Sequence, residues 1–203
     1  ALYFADAVRT VRQRGLFMQE AVPVGVGAMA AVIGLKADVL EELCREAARG
    51  EVVSPANFNS PGQVVIAGHA SAVGRAVELA KSHGAKRALP LPVSAPFHCA
   101  LMVPAGERLR TVLEGVAVNP LRFPVVTNVE ATPNEDASRV RKLLVGQVSA
   151  PVRWEESVLA MAESGVERYI EIGPGKVLSG LIKRIVKGAA TVNVEDVAGL
   201  KAL

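Results

Sequence analysis

Aromatic side chains make up only 4% of the 203 residues. That is too few for the stacking platforms that bind single-stranded nucleic acid, and no nucleic-acid partner is expected. Cysteine is almost absent. Cys44 and Cys99 show no CxxC spacing and no disulfide framework, which suits a reducing cytoplasm. Histidine is as scarce: His69, His83 and His98 lack ligand company at metal-site spacing, so no metal is expected. No apolar run reaches the length of a membrane span. The opening residues, Ala1-Leu2-Tyr3-Phe4-Ala5-Asp6, carry no secretory pattern and read as the interior of a domain. A cytoplasmic chain with no membrane partner is the expectation. What the chain does have is apolar mass. Half of it is hydrophobic, enough for a substantial core in one domain or two small ones. A net charge of +3 mildly favours an anionic partner.

The most constrained stretch is Leu89-Pro90-Leu91-Pro92-Val93-Ser94-Ala95-Pro96-Phe97-His98-Cys99-Ala100-Leu101-Met102. Each proline pushes the residue before it towards extended geometry, so the chain runs out stiff and delivers His98 just before a helical pattern resumes. A histidine on a rigid loop suits proton transfer near neutral pH. A histidine that only hydrogen-bonds backbone at a helix start fits the same residues. Cys99 reads as a small packed residue rather than a nucleophile, because adjacent side chains rarely aim at each other.

Residues 4–20 read as an amphipathic helix with Phe4, Ala7, Val8, Val11 and Met18 on its apolar side. Arg14 lies on that side too, four before Met18. It must either meet an anion or snorkel out near a frayed end, since Gly15 follows. From residue 27 the period changes. A strand at 28–35, a helix at 38–49 capped by Asp38, strands at 52–59 and 63–68, a helix at 71–83 capped by His69 and closed by Gly84, and a strand at 86–91 follow in turn. Ser60-Pro61-Gly62 supplies the turn between the paired strands. This β-α-β-β-α-β order is the ferredoxin-like arrangement, and it makes residues 25–93 a compact insert. Beyond it come helices at 100–115, 136–148, 154–164 and 177–186 and strands at 124–129, 168–172 and 190–194. Their alternation predicts a mainly parallel sheet covered on both faces.

Gly25-Val26-Gly27-Ala28-Met29-Ala30 spells the GxGxxA dinucleotide fingerprint but follows a helix and precedes a strand, so it is rejected. Gly173-Pro174-Gly175-Lys176 ends a strand and opens a helix; it could hold an anion, and a tight turn explains it more simply. Lys183, Arg184 and Lys187 read as a solvated helix face. Lys86 and Arg87 are the better candidates for an acidic partner.

Taken together, the motifs resemble the malonyl-CoA:acyl-carrier-protein transacylase family of bacterial fatty acid synthesis. The resemblance is carried by Arg14-Gly15-x-x-Met18-Gln19-Glu20-Ala21, Gly27-Ala28-Met29-Ala30-Ala31, Asn57-Phe58-Asn59-Ser60-Pro61-Gly62-Gln63, the proline-rich His98 stretch, Gln147-x-x-x-Pro151-Val152-x-Trp154 and Glu171-x-Gly173-Pro174-Gly175-Lys176-Val177-Leu178. It implies an α/β hydrolase-like acyltransferase core with a parallel sheet, formed by residues 1–24 and 94–203, holding the ferredoxin-like insert. It implies a ping-pong transfer of malonyl from CoA to the phosphopantetheine thiol of acyl carrier protein through a malonyl-serine. His98 would be the general base and acid, steadied by the backbone carbonyl of Gln147. Arg14 would grip the malonyl carboxylate, and Phe97 would disfavour an α-methyl branch. Asn57, Asn59 and Gln63 would line the pantetheine side, with Lys86 and Arg87 meeting carrier protein or CoA phosphate. No cofactor is implied, malonyl-CoA being a substrate, and a monomer is expected. No serine here has GxSxG flanks, so the nucleophile is expected outside these residues and the chain alone is expected to be inactive. A non-catalytic module binding CoA or carrier protein, and a serine hydrolase on a related core, remain the rival readings.

Overall fold

Helix α1 (Phe4–Ala21) opens the chain in a computed structural model that describes residues 1–201 and 203. Its buried side runs through Thr10, the half-buried Arg14 and Phe17, and Met18. The expected stripe is rotated. Phe4, Val8 and Val11 are exposed, because α1 docks through its C-terminal half, where Phe17, Met18, Ala21 and Val22 meet the next helical layer. Arg14 remains on the buried side, between Thr10 and Met18 at helical spacing.

A turn closed by Val26 N–H to the Pro23 carbonyl leads into β1 (Gly27–Ile33), α2 (Ala37–Ala48), β2 (Val53–Ser60), β3 (Gln63–His69), α3 (Ala70–Ser82) and β4 (Arg87–Pro90). The strands form one sheet in the order β2-β3-β1-β4, every neighbour antiparallel. One face carries Ala30, Val32, Val64 and Ile66 against Leu40, Leu43 and Cys44 of α2 and Val73, Ala76 and Val77 of α3. The hairpin turns at Gly62, whose φ of +69° suits the glycine position of the predicted turn.

A single 3-10 turn at Ala100–Met102 then feeds α4 (Val103–Glu114), with Pro104 in its first turn, where a missing N–H removes no helical bond. After α4 come β5 (Val125–Val126), β6 (Pro133–Asn134), α5 (Val140–Ser149), α6 (Trp154–Glu163), β7 (Arg168–Ile172), α7 (Val177–Ile185), β8 (Ala190–Val194) and α8 (Val197–Lys201). Helices α1, α4 and α5 share a core of Met18, Val22, Met102, Ala105, Leu109, Leu113 and Val148.

The structure corrects several expectations. Among the described residues the only parallel ladder is β7 with β8; the large sheet is antiparallel and β5–β6 is an antiparallel pair. Parallel pairing needs a crossover; α7 provides it between β7 and β8, and elsewhere among the described residues parallel pairing is confined to a single bridge between Asn57 and Val152. The strand expected at 124–129 shrinks to two residues, because Ala131 N–H bonds back to the Thr127 carbonyl and turns the chain onto itself. Asp38 does not cap α2. It sits in the first turn, its carboxylate accepting from Val39 N–H at 2.9 Å. His69 does not cap α3 with its side chain either; its Nδ1 accepts from Val52 N–H at 2.9 Å, tying β3 to the start of β2. Helix α8 is a further element that the pattern did not announce.

Candidate active site

Segment 91–99 crosses from the sheet to the helical layer. Leu91 N–H bonds the Met29 carbonyl at 2.9 Å, Ala95 and Pro96 are buried, and Cys99 Sγ donates to the Pro96 carbonyl at 3.1 Å. Burial pushes the Cys99 thiol up, so it is a packed group rather than a nucleophile. His98 takes a φ of +60°. A non-glycine residue in the left-handed region costs roughly 1–3 kcal/mol and persists where its surroundings enforce it.

Those surroundings are the end of α5. His98 Nδ1 lies 3.0 Å from the Gln147 carbonyl oxygen. Gln147 is in the last helical turn, where carbonyls have no intrahelical partner. A carbonyl only accepts, so the neutral imidazole carries its proton on Nδ1 and leaves the Nε2 lone pair free. The Gln147 amide nitrogen is 3.4 Å from the same ring atom, a weaker contact. Burial pushes the His98 pKa down, the Gln147 carbonyl pulls it up, the positive charge of Arg14 pushes it down, and the Ala150 carbonyl pulls it up; the net value lies below the ordinary 6.5. Near neutral pH the ring is an uncharged base.

Arg14 is half-buried on α1, and burial lowers its pKa with no carboxylate acting against that among the described residues. Its charge is nevertheless felt at His98. Two groups far apart in sequence therefore share one electrostatic neighbourhood. Phe97, half-buried and next to His98 in the chain, packs against both the α1–α4 core and the second face of the sheet.

That face, with Met29, Val65 and Ala67 buried on it, arranges the remaining candidates. Asn57 stands opposite Val65, Val65 opposite Ala31, and Ala31 opposite Leu89. Two residues further, Gln63 stands opposite Ile33 and Ile33 opposite Arg87. Cross-strand partners point to the same face, so Asn57, Gln63 and Arg87 share the side on which Met29 and Ala67 meet Cys99 and Phe97. From Met29 to Ile33 the track runs about 14 Å at 3.4 Å per residue. Asn59 falls at a ladder irregularity between Phe58 and Ser60. Gln63 is not free: its Oε1 accepts from Arg184 Nη1 at 2.8 Å, so Arg184 is a tie between α7 and the sheet rather than only a solvated charge. Lys86 is exposed just before β4, at the end of β1 furthest from His98.

A groove of about 400 Å³ lined by Ser54, Phe58, His98, Ser149 and Arg153 reaches the imidazole. A larger cavity of about 580 Å³ lies between residues 1–4 and 119–125 and contains none of these groups. The Gly173–Gly175 turn is not an open anion site. The Glu171 carboxylate already accepts from Leu178 N–H at 3.0 Å and Ser179 N–H at 2.8 Å, filling the N-terminus of α7.

Three further contacts escaped sequence reasoning. Ser94 Oγ donates to Gln19 Oε1 at 2.6 Å, linking the histidine segment to the helix of Arg14. Arg108 of α4 lies 4.0 Å over the Phe17 ring and 2.7 Å from Glu20, fastening the last turns of α1. The motifs Met18-Gln19-Glu20 and Val93-Ser94 held the signal, but nothing in their spacing pairs them.

The family model described as acyl transferase domain matches residues 1–202. The chain is 58% identical over 183 residues to the malonyl CoA-acyl carrier protein transacylase of Escherichia coli K12, covering 90% of this chain and 59% of that one. The Haemophilus influenzae protein of the same name is 51% identical over 202 residues, covering 100% of this chain and 65% of that one. The crystal structure of an acyl carrier protein S-malonyltransferase from Vibrio cholerae superposes with a TM-score of 0.97 at 53% identity, over 99% of this chain and 66% of that one. A malonyl-transacylase in complex with a type II PKS acyl-carrier protein gives 0.96 at 51% identity, over 99% and 65%. The chain thus spans between 59% and 66% of the length of these relatives.

Proposed function

We propose a function from one premise: the chain belongs to the acyl transferase domain family. It forms the histidine- and carboxylate-binding part of a cytoplasmic, monomeric malonyl transferase that moves malonyl from CoA to the phosphopantetheine thiol of acyl carrier protein. Residues 25–93 act as a ferredoxin-like subdomain on a hydrolase-like core of 1–24 and 94–203. The observation that carries this reading is His98 Nδ1 held 3.0 Å from the Gln147 carbonyl oxygen, with its ring feeling the charge of a half-buried Arg14 that has no carboxylate partner among the described residues.

The nucleophile is a serine outside residues 1–203. As its oxygen attacks the thioester carbonyl, Nε2 of His98 takes its proton. The C–S bond breaks and the proton passes to the departing CoA sulfur. In the second half the carrier thiol gives its proton to Nε2, attacks the malonyl ester, and the serine oxygen recovers the proton. The imidazolium formed in between sits against the negative end of α5, which favours it. Arg14 binds the malonyl carboxylate in both halves, and the bulk of Phe97 crowds an α-methyl branch. Asn57, Asn59 and Gln63 line the pantetheine along that sheet face, and Lys86 and Arg87 meet phosphate or carrier-protein acids beyond its far end.

Calorimetry on the chain tests this. Malonyl-CoA should bind at least about tenfold tighter than acetyl-CoA, the difference being a charge-assisted bidentate contact. Arg14→Ala should erase that preference and leave acetyl-CoA binding unchanged. Equal affinities in the unmodified chain would count against malonyl as the acyl group.

A further inference from the structure

We propose that Gly27 is a positioning residue for His98: its missing side chain lets the Pro96 ring seat against the start of β1, and that seat fixes the imidazole on Gln147. The proposal leans on the transferase reading only for what the histidine does; the contact itself is independent of it. A Cβ at residue 27 would overlap Pro96 Cγ and lie 2.5 Å from Cδ and 2.9 Å from Cβ. Carbon atoms rest about 3.5–4.0 Å apart, so a side chain there drives the ring back by roughly 1 Å. The ring has no slack. Pro96 is among the fully buried side chains, Ala95 is buried, and the Pro96 carbonyl is held by Cys99 Sγ.

Two residues on, His98 already occupies the left-handed region with Nδ1 3.0 Å from its carbonyl partner. A displacement of that size lengthens the bond past the range in which it counts as one. Backbone freedom does not explain the glycine: Gly27 sits in an ordinary strand ladder opposite His69. In such a position glycine weakens a strand, and alanine would strengthen it but for the ring. The small residues of the rejected GxGxxA pattern each find a steric use. Gly25 turns the chain at φ +88°, Gly27 admits Pro96, and Ala30 is fully buried in the sheet core.

The test is ¹⁵N NMR of the His98 ring in the 203-residue chain. The unmodified chain should show the Nδ1–H tautomer and a titration midpoint below 6.5. In Gly27→Ala the ratio of Nδ1–H to Nε2–H tautomer should fall by about tenfold, the worth of one hydrogen bond, and the midpoint should move. Adding Pro96→Ala removes the two nearest ring atoms and should restore most of the original tautomer ratio. If Gly27→Ala alone does not fold, the double variant should fold and show the Nδ1–H tautomer. An unchanged ring in Gly27→Ala, or a double variant that recovers neither fold nor tautomer, overturns the proposal. Equal binding of malonyl-CoA and acetyl-CoA alongside the expected tautomer change would fault the transferase reading and leave this one standing.

Discussion

The two halves of the candidate site are built in opposite ways. The segment bearing His98 is over-determined: Leu91 is tied to the sheet, Pro96 is wedged against Gly27, Cys99 holds the Pro96 carbonyl, and Nδ1 is pinned on Gln147. Helix α1 is docked by its C-terminal half, with Arg14 on its buried side, and leaves its first turns exposed. Phe4 is 85% exposed and Val11 65% exposed, and Arg14 is desolvated without a carboxylate to answer it among the described residues. One half is fixed before any ligand arrives; the other carries a charge that a ligand would satisfy. A base must be in place to accept a proton at the moment of attack, which rewards pre-organisation. A guanidinium that discriminates acyl groups needs its counter-charge absent until the right one arrives.

The largest expected effect removes the support common to both halves. Met102 is fully buried beneath the segment, in one cluster with Met18 and Ala95. Met102→Ala should cost about 3 kcal/mol of stability in urea unfolding, and should also loosen the His98 ring enough to change its tautomer ratio. A loss below about 1 kcal/mol would mean that the two halves do not share a core there.

A smaller effect concerns the histidine alone. Its folded pKa lies below 6.5, so between the two values the unfolded chain binds more protons and stability rises with pH. His98 therefore contributes its full stability above about pH 6.5 and loses it as the pH falls through the folded value. Urea midpoints measured from pH 7.5 down to pH 5 should drop more steeply for the unmodified chain than for His98→Asn. Parallel slopes would show that the ring is as solvated folded as unfolded.

Much of this contrast was legible in the residues. The three prolines mark the stiff delivery of His98, and Arg14 four before Met18 marks a charge facing inward. The β-α-β-β-α-β order emerged from period changes and from Gly62 and Gly84, positions that demand particular backbone conformations. What failed were inferences that depend on partners distant in sequence. Phe4, Val8 and Val11 fit a helical period without being the side of α1 that α4 covers, so periodicity alone does not locate its buried side. Alternation of strand and helix points to a parallel sheet but does not say which strands pair. Gln63 and Arg184, or Ser94 and Gln19, could not be matched because each member is an ordinary polar residue in its own stretch.

The central claim is that one guanidinium and one imidazole face the same acyl group. The most direct measurement is the His98 titration midpoint by NMR in the unmodified chain, in Arg14→Met, and in the unmodified chain saturated with malonate. Removing the positive charge should raise the midpoint, and supplying a carboxylate to Arg14 should raise it as well. A midpoint indifferent to both would mean that the two groups do not act on a common ligand.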